Sequence, residues 1–356
     1  MNRVCLAIET SCDDTSVALV ESRGRNAPEG SDRYGFVIGL KSQNQDSVHL
    51  PFGGVIPELA CRNHTMRLLP LIDQLFKESK WSWEKVSGIA VTSKPGLVGA
   101  LLVGVTVAKT LALLHDLPLV GVNHLEGHLH APLLRDAEYR PKDDFTYPFV
   151  GLCVSGGHTS LYEVQDFGKY RLLGRTVDDA AGEAFDKFGK ILGLGYPAGA
   201  KVDSLAKNGD PKAFLFPRAF MKKGDLQFSF SGLKTSGALK IKELGSALGE
   251  KQIADLCASY QEAIVDILIE KLGRALNKTG LKRAVITGGV SANSRLRLRA
   301  SEEFSKLKMD LLIPPLRYCT DNAAMIGLVG LKRLERGEND SQRLKPEAFM
   351  KISELV

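Results

Sequence analysis

Three of the chain's seven histidines lie within seven positions, in the stretch VNHLEGHLHA. If this stretch is helical, at about 100° per residue, His124 and His128 lie about 40° apart on one face, where two imidazoles can bind the same metal ion. His130 then points in another direction. Leu125 follows His124, so the HExxH arrangement of zinc proteases, with a glutamate base beside the first ligand, is absent. The spacing is equally compatible with surface or core histidines, and it does not locate a third ligand.

Three polar or glycine-rich turns follow apolar, strand-like runs. ETSCDDT follows residues 4–10 and precedes SVALVES, and SGGHT lies between FVGLCV and SLYEV. In RAVITGGVSANSRLRLR, a strand is followed by a Gly-Gly turn and by a helix that begins near Ser291. Backbone amides at such turns can bind phosphate, although a structural turn is the simpler explanation of any one of them alone. Together the three turns indicate two similar lobes that close on a nucleotide.

Strand-like and helix-like segments alternate along the chain, which predicts an α/β fold. Residues 24–35 are polar and rich in turn-forming residues, so a loop is expected before the strand FVIGLKSQ. Residues 96–114 are apolar and approach the ~20 residues of a membrane-spanning helix. Lys109, several glycines and the following His115 favour instead a helix buried between layers of the core, and no membrane association is expected.

The composition is that of an ordinary globular protein, with 44% hydrophobic and 25% charged residues among 356. Six cysteines without a CxxC pair indicate free thiols in a reducing compartment. The strand-like run VCLAIET begins almost at the N-terminus and leaves no room for a targeting peptide. We therefore expect a cytoplasmic location.

The net charge of +6 is concentrated in one segment. Between Arg218 and Lys308 there are 17 lysines and arginines against 9 aspartates and glutamates, which leaves a small negative balance elsewhere. The basic clusters are Lys222 and Lys223, then Lys234, Lys240 and Lys242, then Lys282 and Arg283, and finally Arg295, Arg297 and Arg299. Composition favours basic residues that simply face solvent, and the alternative is that they form a binding surface for an anionic polymer.

The three arginines of the last cluster occupy alternating positions of the predicted helix. Alternating positions point ~200° apart, so at most two of these arginines can share one face. One or two of them can therefore lie on an inner packing surface instead of the outer face.

A series of motifs extends over nearly the whole chain. They are ETSCDDTS, SQNQDSVHLPFGGVIPELACRNH, SKPGLVGALLVG, NHLEGHLHAPLL, VSGGHTSL, DDAAGEAFDKFGKILGLGYPAG, FSFSGLKT, GGVSANSRLR and TDNAAMI. With these motifs the chain resembles the tRNA N6-adenosine threonylcarbamoyltransferase family, within the actin, Hsp70 and sugar-kinase superfamily. It departs from the family pattern in the long 24–35 loop and at Leu50, Pro51 and Phe52, where a tyrosine-containing sequence is expected.

The resemblance implies a two-lobed actin-like ATPase fold, each lobe a mixed sheet with flanking helices, with nucleotide and metal in the cleft between the lobes. Lobe I is expected to comprise residues 1–135 and 320–356, with the first hairpin, the metal-ligand helix and the C-terminal return. Lobe II is expected to comprise residues 136–319, with the SGGHT turn, the nucleotide-binding motifs and the basic face.

The resemblance also implies a ligand set for one divalent ion, iron or zinc, made of His124, His128 and Asp321. Two imidazoles and one carboxylate leave positions open for substrate, as a catalytic site requires. The residues implied to contact the substrate are Cys153, Val154, Ser155, Gly156, Gly157, Asp186, Gly199, Asp203 and Asn293. Carboxylates suit a ribose diol, and an asparagine suits a phosphate or the adenine edge. Without the resemblance, Asp186 would be interpreted as an exposed acid on an amphipathic helix.

The implied reaction transfers the threonylcarbamoyl group from threonylcarbamoyl-adenylate to N6 of the adenosine 3′ of the anticodon, in tRNAs that read codons beginning with A. AMP is the leaving group. Asp13, at the tip of the first hairpin, is the candidate general base, although an aspartate that caps a turn is nearly as consistent. The implied partners are tRNA, a TsaB-like paralogue and a TsaE-like ATPase.

Three alternatives belong to other functional classes. An ATPase or phosphotransferase of the same superfamily has the phosphate-binding turns but no need of a His-His-Asp metal site. A metallopeptidase requires a metal-activated water and a nearby base, and the absence of HExxH counts against it. A non-catalytic scaffold has no reason to keep His124, His128 and Asp321.

Overall fold

The computed structural model describes residues 3–22, 34–142, 144–219, 225–245 and 247–349. Strands and helices alternate through these residues, which confirms the predicted α/β class. Most of the predicted 24–35 loop and the basic pair Lys222 and Lys223 lie outside the described residues.

The described residues form eleven strands, numbered in chain order. They are β1 Val4–Glu9, β2 Thr15–Ser22, β3 Gly35–Gln43, β4 Gly88–Lys94, β5 Leu119–Asn123, β6 Leu134–Arg135, β7 Phe149–Val154, β8 Thr159–Asp166, β9 Lys169–Arg175, β10 Arg283–Thr287 and β11 Asp310–Leu312.

The α-helices of the described residues are also numbered in chain order. They are α1 Asp46–His49, α2 Pro57–Ser79, α3 Val98–Leu114, α4 His124–His130, α5 Ala181–Ile191, α6 Gly199–Ala206, α7 Ser231–Leu244, α8 Glu250–Thr279, α9 Ser294–Lys306 and α10 Ala323–Glu335.

Contacts divide the chain into two compact units. The first unit is Met1–Thr146 with Pro314–Leu355, and the second is Tyr147–Ile313. The predicted lobe boundaries at 135 and 320 therefore differ from the observed ones, because residues 136–146 and 314–319 cluster with the first unit.

Polar contacts explain why these two segments belong to the first unit. The Asp136 carboxylate pairs with the Arg317 guanidinium at 2.8 Å and accepts a hydrogen bond from the Tyr318 hydroxyl. The Tyr34 hydroxyl, just before β3, lies 2.8 Å from the Lys142 carbonyl oxygen. The two segments thus bind each other and the first sheet, an arrangement that the local sequence pattern does not reveal.

The described residues of each unit form a mixed sheet, and five strands of the first sheet have the same arrangement as the five strands of the second, with β6 added beside β3 in the first. The first sheet has the order β5-β4-β1-β2-β3-β6 and the second has the order β11-β10-β7-β8-β9. In each of these five-strand sets, two strands, β2 and β3 or β8 and β9, follow on one side of β1 or β7, each antiparallel to the strand before it. On the other side of β1 or β7 lie two parallel strands, β4 and β5 or β10 and β11. The repeated hairpin predicted from the sequence is confirmed at the level of strand topology.

Two predicted helices differ in detail from the observed ones. α3 buries only one face, with Ala100, Leu101 and Val105 inside, whereas Leu102 is 53% and Leu113 74% exposed, so it does not lie between two layers. No helix of the described residues is both long enough and apolar enough to cross a bilayer. α9 begins at Ser294 rather than near Ser291, because a short 3-10 turn intervenes.

α10 packs closely on the first sheet because two of its residues are glycines. A Cβ atom at Gly330 would lie 2.2 Å from Cβ of Ala90 on β4, and one at Gly327 would lie 2.5 Å from Val20 Cγ2 on β2. Interiors packed at this density have no room for an additional methyl group. The glycines therefore set the distance of α10, and of the residues that precede it, from the sheet.

Replacing Gly330 with alanine tests this close contact. We expect Gly330→Ala to lower the free energy of unfolding by ~1–3 kcal/mol, because overpacking outweighs the better helix propensity of alanine. Chemical denaturation followed by circular dichroism measures the change.

Gly273 on α8 offers a matched control, because no described atom lies within 4 Å of the position of its Cβ. Gly273→Ala should raise the free energy of unfolding by roughly 0.5–1 kcal/mol. Equal stabilisation by both substitutions would contradict the packing argument.

Candidate functional site

His124 and His128 lie on one face of α4 and meet the Asp321 carboxylate. Nε2 of His124 lies 3.3 Å, and Nε2 of His128 3.1 Å, from the same oxygen, Asp321 Oδ1. One possible ligand atom from each residue lies within 4.8 Å of the others, so the three can hold one metal ion. His130 lies outside this group, as its spacing predicts, and its Nδ1 donates to the Glu126 carbonyl oxygen at 2.9 Å.

Two capping asparagines position the three residues. Asn123 ends β5, and its side-chain oxygen accepts hydrogen bonds from the amides of Leu125 and Glu126 at 2.9 and 3.3 Å. α4 therefore starts directly at His124, which places His128 one turn further on the same side. Asn322 caps α10 by accepting from the Met325 amide at 3.0 Å, and Asp321 immediately precedes it.

A buried carboxylate that the sequence analysis did not identify orients His124. Glu9 is fully buried, and its Oε2 lies 3.0 Å from His124 Nδ1 and 2.6 Å from the Thr92 hydroxyl, which donates to it. A carboxylate on Nδ1 fixes the ring and directs the Nε2 lone pair towards a metal ion. The sequence feature that could have identified this residue is that Glu9 is the acid at the end of the otherwise apolar run VCLAIE.

The charges of this cluster favour a cation at its centre. Burial alone would lower the pKa of His124, but the Asp321 and Glu9 carboxylates raise it well above its ordinary value. Burial lowers the pKa of His128, which favours the neutral imidazole that a metal ligand must be. Against the effect of its own burial, the two histidines hold the pKa of Asp321 well below its usual range. This donor set therefore fits a divalent cation.

The turn between β1 and β2 carries two adjacent acids, Asp13 and Asp14. Burial raises the pKa of Asp14 to about 8, and the negative charges of Asp321, Asp13 and Asp46 contribute. The sequence analysis selected Asp13 and overlooked Asp14, although both belong to the same ETSCDDT motif. Asp14 thus joins Asp13 as a candidate proton-transfer group.

In the second unit, two glycine turns lie side by side at the ends of parallel strands. Thr287 at the end of β10 pairs in register with Cys153 near the end of β7. Gly288 has φ +89°, and a Cβ there would lie 2.4 Å from the Val154 carbonyl oxygen, so only glycine fits. No described atom lies within 4 Å of a Cβ built at Gly156 or at Gly157, which leaves room for a ligand. Ligands of α/β sheets bind at this end of the strands.

The predicted polar contacts of the second unit already hold backbone and side-chain groups of the protein. Asp186 accepts hydrogen bonds from the amides of Ala198 and Gly199, at 2.8 and 3.2 Å, where α6 begins. Asp203 accepts from the Ser294 hydroxyl at 2.8 Å and from the Ser294 amide, where α9 begins.

Asn293 also belongs to this helix start. Its side-chain oxygen accepts from the Leu296 amide at 3.0 Å, and its Nδ2 donates to Gln261 at 2.6 Å. Ser155 to Gly157 and these polar residues thus lie in one unit, and the polar ones stabilise the first turns of α6 and α9. Their predicted contacts with a substrate stay a prediction.

Two of the three alternating arginines bind α9 to α8. Arg295 pairs with Glu262 at 2.6 Å, and Arg299 pairs with Glu262 and with Asp266. Arg297 instead donates to the Ser291 carbonyl oxygen at 3.0 Å. The expectation that at most two of these arginines share one face is confirmed, and the shared face packs against α8.

The chain is similar to proteins of known name over almost its full length. The family model TsaD, tRNA N6-adenosine threonylcarbamoyltransferase, matches residues 36–328. A tRNA N6-adenosine threonylcarbamoyltransferase of Bdellovibrio bacteriovorus is 55% identical over 341 residues, which are 96% of this chain and 96% of that protein. The same-named protein of Anaeromyxobacter dehalogenans is 53% identical and covers 99% of this chain and 100% of its own length.

Among solved structures, full-length HypF in its phosphate- and nucleotide-bound form has a TM-score of 0.57 at 12% identity. The match covers 94% of this chain and 47% of HypF, and at this identity it indicates the fold alone. It agrees with the predicted actin-like ATPase fold. The names of the relatives favour the acyltransferase function over the phosphotransferase and metallopeptidase alternatives. The chain belongs to the tRNA N6-adenosine threonylcarbamoyltransferase family and is an acyltransferase.

Proposed function

We propose that the chain transfers threonylcarbamoyl from threonylcarbamoyl-adenylate to N6 of the adenosine 3′ of the anticodon, in tRNAs that read codons beginning with A. The main support is the convergence of His124 and His128 on one oxygen of Asp321. A phosphotransferase has no use for this ligand set. A metallopeptidase with HExxH carries its glutamate base directly after the first histidine, where this chain has Leu125.

The reaction forms one bond and breaks one. The N6 lone pair attacks the carbonyl carbon of the carbamoyl group, and a C–N bond forms. The bond from that carbon to the phosphate oxygen then breaks, and AMP leaves with the electron pair. N6 loses one proton, and we assign its removal to Asp13 in the acidic turn, beside Asp14.

His124, His128 and Asp321 would hold a divalent ion, iron or zinc, which when bound supplies a Lewis acid that stabilises negative charge on an oxygen. The protein's own part is to fix both rings so that their Nε2 atoms face the ion. Burial favours the neutral form of His128, and the Glu9 carboxylate accepts a hydrogen bond from Nδ1 of His124 and so fixes the direction of that ring. The Asp321 and Glu9 carboxylates also raise the pKa of His124, so this ring would release its Nε2 proton when an ion binds.

The second unit would bind the adenylate. The open turn at Ser155, Gly156 and Gly157, with Cys153 and Val154 before it, suits a phosphate that must approach the backbone closely. Asp186, Gly199, Asp203 and Asn293 surround the starts of α6 and α9 and would contact the nucleoside. Because Asp186 and Asp203 also accept backbone hydrogen bonds, they would bind the ligand with their remaining lone pairs.

Transfer RNA is the acceptor named for the relatives, and we propose it for this chain. Arg295 and Arg299 are engaged by acids of α8, so we assign phosphate contacts to other basic residues between Arg218 and Lys308. The family resemblance supports a TsaB-like paralogue and a TsaE-like ATPase as partners.

The purified chain, with and without these two partners, can be incubated with threonylcarbamoyl-adenylate and unmodified tRNA. We expect threonylcarbamoyl-adenosine in nuclease digests of the tRNA, together with AMP. Parallel incubations with ATP alone or with a peptide should yield no turnover. Turnover of ATP or peptide without tRNA modification would favour one of the alternative functions.

Removing one ligand tests the metal site in the same assay. We expect His128→Ala to lose both bound metal and transfer while its thermal melting stays cooperative, because two ligands hold the ion too weakly. Glu9→Gln should weaken metal affinity by about 10- to 100-fold, since it loosens the His124 ring. Elemental analysis measures the metal directly. His130→Gln, on the same helix but outside the cluster, should keep its metal, and full occupancy in His128→Ala would refute the site.

Calorimetry with ADP or the adenylate tests the second unit. We expect Asn293→Ala and Asp186→Ala to lose ~0.5–3 kcal/mol of binding free energy. Asp186→Asn separates the two roles of this residue, because an amide oxygen still accepts from the Ala198 and Gly199 amides. Weak binding in both Asp186 variants indicates a ligand contact, whereas weak binding in Asp186→Ala alone indicates a structural role. Unchanged affinity in all three variants would place the nucleotide elsewhere.

The acidic turn makes stability depend on pH in a defined direction. The pKa of Asp14 is about 8 in the folded chain, above its value in the unfolded chain. Between about pH 4 and about pH 8 the unfolded chain ionises Asp14 whereas the folded chain keeps it protonated, so the free energy of unfolding falls as pH rises. In chelator-treated protein, Asp14→Asn should therefore be increasingly stabilising over this range, by up to ~1.4 kcal/mol per pH unit. Denaturation at pH 5 and pH 8 measures the difference. Asp73→Asn, at an exposed acid on α2, should show no such trend, and a flat profile for Asp14→Asn would contradict the assignment.

A further inference from the structure

His64, on the inner face of α2, binds the acidic turn through both of its ring nitrogens. The residue is fully buried. Nε2 lies 2.9 Å from the Cys12 carbonyl oxygen, and Nδ1 lies 2.8 Å from the Thr15 hydroxyl oxygen. A carbonyl oxygen can only accept, so Nε2 carries the hydrogen and Nδ1 accepts from Thr15. Burial lowers the pKa of His64, which is consistent with this single neutral tautomer.

The two atoms that His64 binds lie on either side of the acidic pair. Cys12 directly precedes Asp13, and Thr15 directly follows Asp14. One rigid ring therefore spans the segment that carries both carboxylates. No part of His64 is within hydrogen-bond distance of either carboxylate among the contacts of the described residues, so it acts through the two residues that flank them, Cys12 and Thr15.

The turn requires such an anchor because it places two acids in a partly buried position. Asp13 and Asp14 are both half-buried, and Asp46 and Asp321 lie close enough to interact with Asp14. Carboxyl groups held away from water favour opening of the turn, because each can then be fully hydrated and ionised. On its N-terminal side the turn is held at Ser11, whose carbonyl oxygen accepts from the Leu97 amide at 2.8 Å. On the side of the acids, His64 holds it at Cys12 and Thr15.

We infer that His64 is a positioning residue for transfer, which holds the Asp13–Asp14 turn in the geometry that removes the proton from N6. This inference rests on the proposed function, because only there does the turn have a role in proton transfer. It predicts that loss of either hydrogen bond lowers the rate of the chemical step and leaves substrate binding unchanged, because His64 is fully buried and does not itself contact a substrate. A misplacement of about 1 Å in a catalytic group can reduce the rate by about 100-fold.

Three substitutions separate the two hydrogen bonds. His64→Gln can keep a donor near the position of Nε2, for the Cys12 carbonyl oxygen, and His64→Asn can keep an acceptor near the position of Nδ1, for Thr15. His64→Leu fills the space and keeps neither. With the complete enzyme and its partners, we expect kcat to fall by up to about 100-fold in His64→Leu and to be partly restored in at least one of the two amides, while KM for tRNA and for the adenylate changes little.

Thr15→Val provides an independent variant that leaves the histidine in place. It removes the hydroxyl that donates to Nδ1 and preserves the size of the side chain. It should therefore lower kcat, because Nδ1 of His64 then lacks its donor. The decrease should be about as large as the difference in kcat between His64→Asn and His64→Leu. Thr15→Ser keeps the hydroxyl and should restore kcat.

A destabilised control excludes a general loosening of α2. Leu68, one turn after His64 on the same helix, is fully buried in the apolar core. Leu68→Ala should lower the melting temperature but leave kcat unchanged well below that temperature. Metal content should match wild type in all these variants, because His64 contacts none of the proposed ligands.

The outcomes distinguish this inference from the proposed function. If wild type transfers threonylcarbamoyl and Asp13→Asn does not, but His64→Leu and Thr15→Val keep the wild-type kcat, the positioning role is refuted and the function stands. A proportional loss of kcat in Leu68→Ala would also refute it, since any loosening of α2 would then suffice. If wild type does not transfer the group at all, the proposed function itself fails.

Discussion

A carboxylate buried at the end of a central strand is the constraint on which the first unit's site depends. An ionised carboxylate in that position costs several kcal/mol unless it is paired and hydrogen bonded, and Glu9 is fully buried. Its partners come from three elements: the Thr92 hydroxyl on β4, the Ser11 amide in the turn after β1, and the His124 ring at the start of α4. Satisfying Glu9 therefore orients the ring that meets Asp321.

The second unit repeats the strand arrangement of the first but places its site residues by steric means. Gly288 must approach the Val154 carbonyl oxygen, and a Cβ at Gly182 would lie 2.6 Å from the Ser155 carbonyl oxygen. Side chains are excluded at both positions, so the turn after β10 and the first turn of α5 both pack closely against the end of β7 and the turn that follows it. One topology thus carries a His-His-Asp cluster in one unit and an open backbone turn in the other, because function depends on the residues at the strand ends rather than on the fold.

Local sequence patterns predicted the elements that depend on residues close to one another in the chain. The two hairpins and the histidine helix were found from alternation and spacing, but the unit boundaries were not, because Asp136 pairs with Arg317, 181 residues further along the chain. Asp321 lies 193 residues from His128, so only the family resemblance could add it to the ligand set. Glu9 and His64 act through contacts between strands and helices that are distant in sequence. The start of α9 was displaced by three residues because Asn293 caps the helix after an unpredicted 3-10 turn.

A match to a family motif does not by itself define the role of a residue. Asp186, Asp203 and Asn293 were assigned to the substrate, yet each accepts a hydrogen bond from the first turn of a helix. Capping of this kind contributes roughly 0.5–2 kcal/mol, enough to constrain a residue type by itself. In the first unit, by contrast, Nε2 of His124 and of His128 are directed at one carboxylate oxygen rather than at the backbone. The cluster of His124, His128 and Asp321 is therefore specified by contacts between side chains, whereas Asp186, Asp203 and Asn293 stabilise helix starts whether or not they also contact the donor.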